Sequence, residues 1–322
     1  MSNSNPNSIK VFAPATVANV ACGFDVLAFA IHGPGDYVTV KKTDKPGVTI
    51  SSITGEDGKL PREPMENTAG RALLAMMKTL DAEPGFGLDI TIEKKMPLGS
   101  GLGSSAASAA GAVAAANILL NERWADEQLL EFALEGELAA SGSPHGDNIS
   151  ASLLGGIVLV RSHNPLDVIR LHVPDKLIAT VIHPKIEINT KSTRMILRKS
   201  VPLTRAVEQW GNVGGLIAGL YREDYGLIGR SLHDGIVEPV RSILIPGFDE
   251  MKEAAMQNGA LGFSISGAGP SVFALSISED TARLIGDSAG TILKKYDLDY
   301  TIHISSINKN GCRVVERDGE AV

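Results

Sequence analysis

Apolar and polar residues along this chain follow two rhythms. Over Asp89-Ile90-Thr91-Ile92-Glu93 every second position is apolar, the period of a half-buried strand, and with its neighbours this predicts a strand over Leu88–Lys94. Similar patterns predict strands over Ile9–Pro14, Tyr37–Lys41, Val48–Ile53 and Leu153–Val160, divided by Gly, Pro and Asp turns. Helical spacing predicts helices over Asn67–Leu80, where Ala72, Leu73, Ala75, Met76 and Leu80 share a side, over Ser104–Leu120 and over Asp126–Ala140. After Ser162-His163-Asn164-Pro165, which reads as a linker, strands are expected at Leu177–His183, Leu261–Ser266, Val272–Ser276 and Tyr300–Ile304. Helices are expected near Val201–Leu220, Tyr225–Ser231, Phe248–Asn258 and Asp280–Tyr296. Strands and helices mix without strict alternation, so the expected class is α+β, in two domains spanning 1–164 and 165–322.

Composition narrows the picture. A chain of 322 residues with 43% hydrophobic content can bury a sizeable core. Its net charge of −7 and the lack of a Lys/Arg block argue against nucleic acid as a partner. Two cysteines, Cys22 and Cys312, give neither a disulfide framework nor a zinc knuckle, and Cys22 reads as a small buried hydrophobe. Met1–Lys10 is polar and resembles no signal peptide, and the Ala106–Leu120 run is too short to span a bilayer. A cytoplasmic protein with no membrane partner is the expectation.

The chemistry concentrates between the strand and the alanine-rich helix, at Pro97, Leu98, Gly99, Ser100, Gly101, Leu102, Gly103, Ser104, Ser105, Ala106 and Ala107. Glycine lets backbone N–H groups turn toward a ligand because no Cβ blocks the approach. A helix opening at Ser104 or Ser105 aims its unpaired N–H groups and its dipole at the same place, which makes an anion cradle suited to a phosphate chain. The residue after Gly103 is serine, not the lysine of the G-x-x-x-x-G-K-[ST] loop, and Ser104 also stands where a dinucleotide fingerprint needs its third glycine. A nucleoside triphosphate held without that lysine is the reading, and NAD is disfavoured.

Glu137 stands out on the helix from Asp126. It shares a face with Leu130, Ala133, Leu134, Ala140 and Ser141, whereas Glu127, Glu131 and Glu135 fall on a solvated side. A carboxylate on the inward stripe needs a partner, either a cation or an arginine from the second domain.

Three motifs then line up in order. The first is Pro14-Ala15-Thr16-Val17-Ala18-Asn19-Val20 followed by Gly23-Phe24-Asp25, the second is the glycine-serine loop, and the third is Ser264-Ile265-Ser266-Gly267-Ala268-Gly269-Pro270-Ser271. Together they resemble the GHMP kinases, a superfamily of small-molecule kinases. The first motif and Ser143-Pro144-His145-Gly146-Asp147-Asn148 resemble the homoserine kinases within it. Ala21-Cys22 stands where that family usually has Gly-Pro.

The resemblance implies two α+β domains, the first like the second domain of a ribosomal protein and the second ferredoxin-like. ATP and substrate would meet in the cleft between them. It implies ATP with Mg²⁺, L-homoserine as substrate, O-phospho-L-homoserine as product on the route to threonine, and a homodimer. Carried over by residue, the loop amides wrap the phosphates and Asn67 lies near the adenine. Ser105, or else Ser104, joins Glu137 at Mg²⁺. Asn19, Asp25, His145, Asp147, Arg194, Arg241 and Gly267 face the amino acid, and Asp147 either takes the hydroxyl proton or only orients it. The alternatives are another GHMP small-molecule kinase and an inactive GHMP-fold binding protein.

Overall fold

The computed structural model describes residues 6–80, 85–141, 146–188 and 190–322. Its first half runs β1 (Ser8–Ala18), β2 (Leu27–Thr43), β3 (Gly47–Thr54), α1 (Thr68–Met77), β4 (Gly87–Glu93), α2 (Ser104–Leu119), α3 (Asp126–Ser141), α4 (Gly146–Leu154), β5 (Ile157–His163) and β6 (Leu166–Leu171). The second half runs β7 (Ile178–Pro184), α5 (Thr190–Met195), α6 (Leu203–Arg222), α7 (Tyr225–Ser231), α8 (Glu238–Arg241), α9 (Phe248–Gln257), β8 (Gly262–Ile265), β9 (Val272–Ser276), α10 (Glu279–Lys295), β10 (Tyr300–Ser306), β11 (Arg313–Arg317) and β12 (Glu320–Ala321).

Two sheets result. In the first, the order is β12-β11-β1-β2-β4-β3, and β5 continues from the early part of β2 to carry β6. Only the β3–β4 pair is parallel among its pairings. The second sheet is antiparallel, in the order β10-β7-β9-β8. Its βαββαβ succession is the ferredoxin-like arrangement. Helix α2 lies against β1 and β2 and is buried all round, with 13 of its 16 residues inaccessible. Small residues make this fit possible: a Cβ on Gly111 would meet Val38 Cγ2 at 2.8 Å. An apolar seam joins the two sheets, where Phe29 meets Phe273 edge to face at 5.8 Å and Val17 and Val181 join the same cluster. The site opens at the edge of this seam.

Several elements differ from the sequence reading, three of them around residues 146–165. The stretch from Gly146 forms helix α4, because Ile149 and Leu153 bury at i, i+4 spacing and Ser150 Oγ bonds the Gly146 carbonyl at 2.6 Å. The strand expected from Leu153 begins instead at Ile157, past Gly155 and Gly156, both with positive φ. The expected linker is the turn of the β5–β6 hairpin, so a division at 164/165 falls within one sheet; β11 and β12 also return to that sheet. By sheet membership the crossover lies at 172–177. Among the described residues no helix is long and apolar enough to cross a membrane.

Candidate active site

A cleft of about 660 Å³ lies between the glycine-serine loop and the second sheet's β8–β9 turn. The loop is shaped by Gly99, Gly101 and Gly103, all with positive φ. At Gly103 only glycine fits, since a Cβ would fall 2.1 Å from Thr16 Oγ1 and 2.8 Å from Asn148 Oδ1. The loop's carbonyls are taken by the neighbouring structure. Ser266 Oγ donates to Gly101 O at 2.7 Å, Ser271 N to Ser100 O at 3.2 Å, and Thr16 N to Leu102 O at 3.0 Å. Gly103 caps α2 without a side chain, so the first turn of that helix presents its N–H groups to the cleft. Behind the turn, burial pushes the His183 imidazole down to about 4, and its Nδ1 lies 3.1 Å from Ser271 Oγ. A neutral ring thus braces the loop that grips the cradle.

The two serines part company. Both line the cleft, but Ser104 Oγ donates to Asp36 Oδ2 at 3.2 Å, whereas Ser105 Oγ donates to Glu137 Oε1 at 2.9 Å. Burial pushes the Glu137 carboxyl up to about 7, against the pull of the Ser105 hydrogen bond and the positive Lys94. Two hard oxygens at a helix N-terminus, one on a carboxylate whose ionisation a nearby cation would favour, are a donor set that suits a small divalent cation.

Beneath the loop lies a pair that sequence reasoning missed. Lys94 Nζ forms an ion pair with Asp36 and donates to Ser104 O at 2.7 Å and Ser108 Oγ at 2.8 Å. Asp36 in turn accepts from Lys95 N at 2.8 Å and Met96 N at 3.1 Å. Burial lowers the Lys94 pKa, and Asp36 opposes that shift. A signal for both was present. Asp36 continues the inward register of Val38 and Val40, and Lys94 that of Leu88, Ile90 and Ile92.

At the other end of the cleft are Asp25, Asp147, Arg194 and Arg241. Asp25 sits in a tight loop in which Asn19, Val20, Ala21 and Asp25 all have positive φ, costing on the order of 1 kcal/mol each. Asn19 holds the loop: its Oδ1 accepts from Asp25 N at 3.0 Å and its Nδ2 donates to Gly267 O at 2.8 Å. Arg194 makes a two-point ion pair with Asp25. Arg241, buried, donates to Gly267 O at 3.1 Å, and burial lowers its pKa. Asp147 is buried in the first turn of α4, and Asn148 N donates to its Oδ1 at 2.8 Å. Thr16 Oγ1 fixes Asn148 in turn, at 2.7 Å. Burial first, and then the charge of Asp25, push the Asp147 carboxyl up to about 7.

The residues picked from sequence thus largely converge, with exceptions. Leu102 and Ala107 point into the apolar seam, and Ala107 N is spent inside α2 on Gly103 O; Pro97 is exposed outside the cleft lining. Both backbone polar atoms of Gly267 are engaged by protein, its N–H with Ala18 O at 3.2 Å, so it acts as a junction. Asn67 lines the cleft but its amide is occupied as the α1 N-cap and with Pro61 O. His145 lies outside the described residues. Cys22 is buried, and burial pushes its thiol up to about 12, so it is inert.

Residues 67–156 match the GHMP kinases N terminal domain and residues 216–293 the GHMP kinases C terminal domain. The homoserine kinase of Chlorobaculum tepidum is 46% identical over 319 residues, covering 96% of this chain and 98% of its own. The chain belongs to the homoserine kinase family of GHMP kinases. The homoserine kinase of Xanthomonas campestris pv. campestris is 40% identical and covers 95% of this chain and 94% of its own. Among solved structures, a homoserine kinase from Cytophaga hutchinsonii superposes with a TM-score of 0.94 at 53% identity, covering 98% of this chain and 99% of its own. A mevalonate kinase of L. major in complex with R-mevalonate, at 16% identity and TM-score 0.70, covers 95% of this chain and 99% of its own and shares the fold alone. The two α+β domains are therefore those of a GHMP kinase.

Proposed function

We propose that this chain transfers the terminal phosphoryl group of ATP to the side-chain hydroxyl of L-homoserine, giving O-phospho-L-homoserine on the route to threonine. The observation that carries this reading is one cleft holding a phosphate cradle and the Ser105–Glu137 pair at one end, and two arginines with two aspartates at the other. Phosphoryl transfer asks the protein chiefly for positioning and neutralisation of charge. The amides of the loop and of the first turn of α2 wrap the phosphates. Ser105 and Glu137 would hold Mg²⁺, which, when bound with ATP, offsets the phosphate charge. Leu60, Pro61 and Asn67, at the rim beside the cradle, flank the adenine. Arg194 and Arg241 receive the amino acid's carboxylate, Asp25 its ammonium, and His145 and Asn19 its remaining polar edge. Asp147, held by Asn148, orients the hydroxyl and accepts its proton; a carboxyl pushed up to about 7 is matched to that task near neutral pH. The protein works in the cytoplasm as a homodimer.

The test is ADP release with purified protein, Mg²⁺ and a panel of alcohols. L-homoserine should exceed mevalonate and galactose by about 10⁴-fold in kcat/KM, because a site built for a zwitterion leaves its charges unpaired on the others. Comparable turnover of either would remove the assignment. Arg194→Ala should raise the KM for L-homoserine by about 30-fold or more while the KM for ATP holds steady. A rise in the ATP value instead would put Arg194 at the wrong end of the cleft.

A further inference from the structure

We propose that Phe24 is a positioning residue for substrate recognition, its ring serving as a shared platform that holds the Arg194 and Arg241 guanidinium groups side by side for one carboxylate. The inference rests on the reading of those arginines given above. Arg194 comes from α5 and Arg241 from the end of α8, so no shared element fixes their spacing. Both nevertheless converge on one ring: the Arg241 Cζ lies 5.2 Å and the Arg194 Cζ 5.7 Å from the Phe24 centroid. Each distance is within the range in which an aromatic quadrupole attracts a cation.

The two cations need such help. They repel: burial first and then the charge of Arg194 lower the Arg241 pKa, while Asp25 and Asp234 act to raise it. Asp25, the residue after Phe24, makes its two-point hydrogen-bonded ion pair with Arg194 and acts on Arg241 through its charge. Arg241 donates to Gly267 O at 3.1 Å, its Nε is buried without a hydrogen-bond partner, and the ring lies beside the same guanidinium. Phe24 does not itself line the cleft, so it acts through the arginines and touches no substrate. A platform that sets two cations for a carboxylate matters only to ligands that carry one. Phe24 therefore governs the preference for an α-amino acid over the same amino alcohol without its carboxylate.

The test compares wild type, Phe24→Leu and Phe24→Trp with two probes, L-homoserine and 3-aminopropan-1-ol. The second keeps the ammonium and the hydroxyl and lacks the carboxylate. Phe24→Leu should raise the KM for L-homoserine about tenfold, leaving kcat and the KM for ATP within about twofold. The inhibition constant of 3-aminopropan-1-ol should move by less than about twofold, and Phe24→Trp, with the stronger π face, should restore the homoserine value. Equal weakening for both probes, or a Trp variant as poor as the Leu variant, would show a mere packing role and overturn the proposal. If the wild-type protein fails to phosphorylate L-homoserine, the proposed function falls separately. Equilibrium binding of the same two probes to the same variants then decides whether Phe24 favours the carboxylate.

Discussion

Lys94→Met is expected to lower the free energy of unfolding by about 3–5 kcal/mol, the usual cost of removing one partner from a buried ion pair. Asp36 would be left with an unpaired buried charge, since both side chains are almost wholly removed from the surface. The damage should reach function, because Lys94 also tethers the carbonyl of Ser104 at the mouth of α2 and lines the cleft. A second variant separates charge from packing. Asp36→Asn combined with Lys94→Met keeps an amide oxygen for the N–H groups of Lys95 and Met96 and removes the stranded charge. Urea unfolding should show the double variant recovering most of the loss. A double variant as unstable as the single one would mean that the charge is not what Lys94 answers.

Glu137→Gln should reduce kcat by about 10²–10³ with a folded protein, the scale seen when one charge-stabilising group is lost from a transition state. It should also change how stability depends on pH. Burial raises the Glu137 carboxyl from 4.5 to about 7. Between those values the folded protein binds the proton more firmly than the unfolded chain does, so stability falls as pH rises through that window. Asp147, raised from 3.8 to about 7, contributes in the same sense. Glutamine has nothing to ionise there. The ligand-free variant should therefore lose less stability than wild type between about pH 5 and about pH 7.5, read by urea midpoints. Mg²⁺ with ADP should close the gap by stabilising the wild type, since a cation favours ionised Glu137, and should help the variant less. Identical pH slopes for the two proteins would remove Glu137 from the cation site.

Much of this arrangement could be read in one dimension. Glycines at 99, 101 and 103 take positive φ and lead into a helix start, as their spacing implies. Glu137 is buried while Glu127, Glu131 and Glu135 are exposed, as helical periodicity demands. Helix α4 was hidden because Gly146-Asp147-Asn148 are turn formers by local preference, and only the burial of Ile149 and Leu153 against the first sheet overrides them. Strands β6 and β11 were missed for a related reason. Their residues are half exposed at the sheet's margin, so their apolar signal is weak, and β11 pairs with β1 at the far end of the chain.

Local patterning by itself established the α+β character, the glycine turn at the start of a helix and the inward carboxylate, because each depends on residues close in the chain. The partnerships were decided in three dimensions: Ser105 rather than Ser104 beside Glu137, Asp36 under Lys94, and Phe24 near both Arg194 and Arg241. Those choices turn on side chains brought together from as far as 217 positions apart, Phe24 to Arg241, where the low polarity of the interior favours polar groups that are paired.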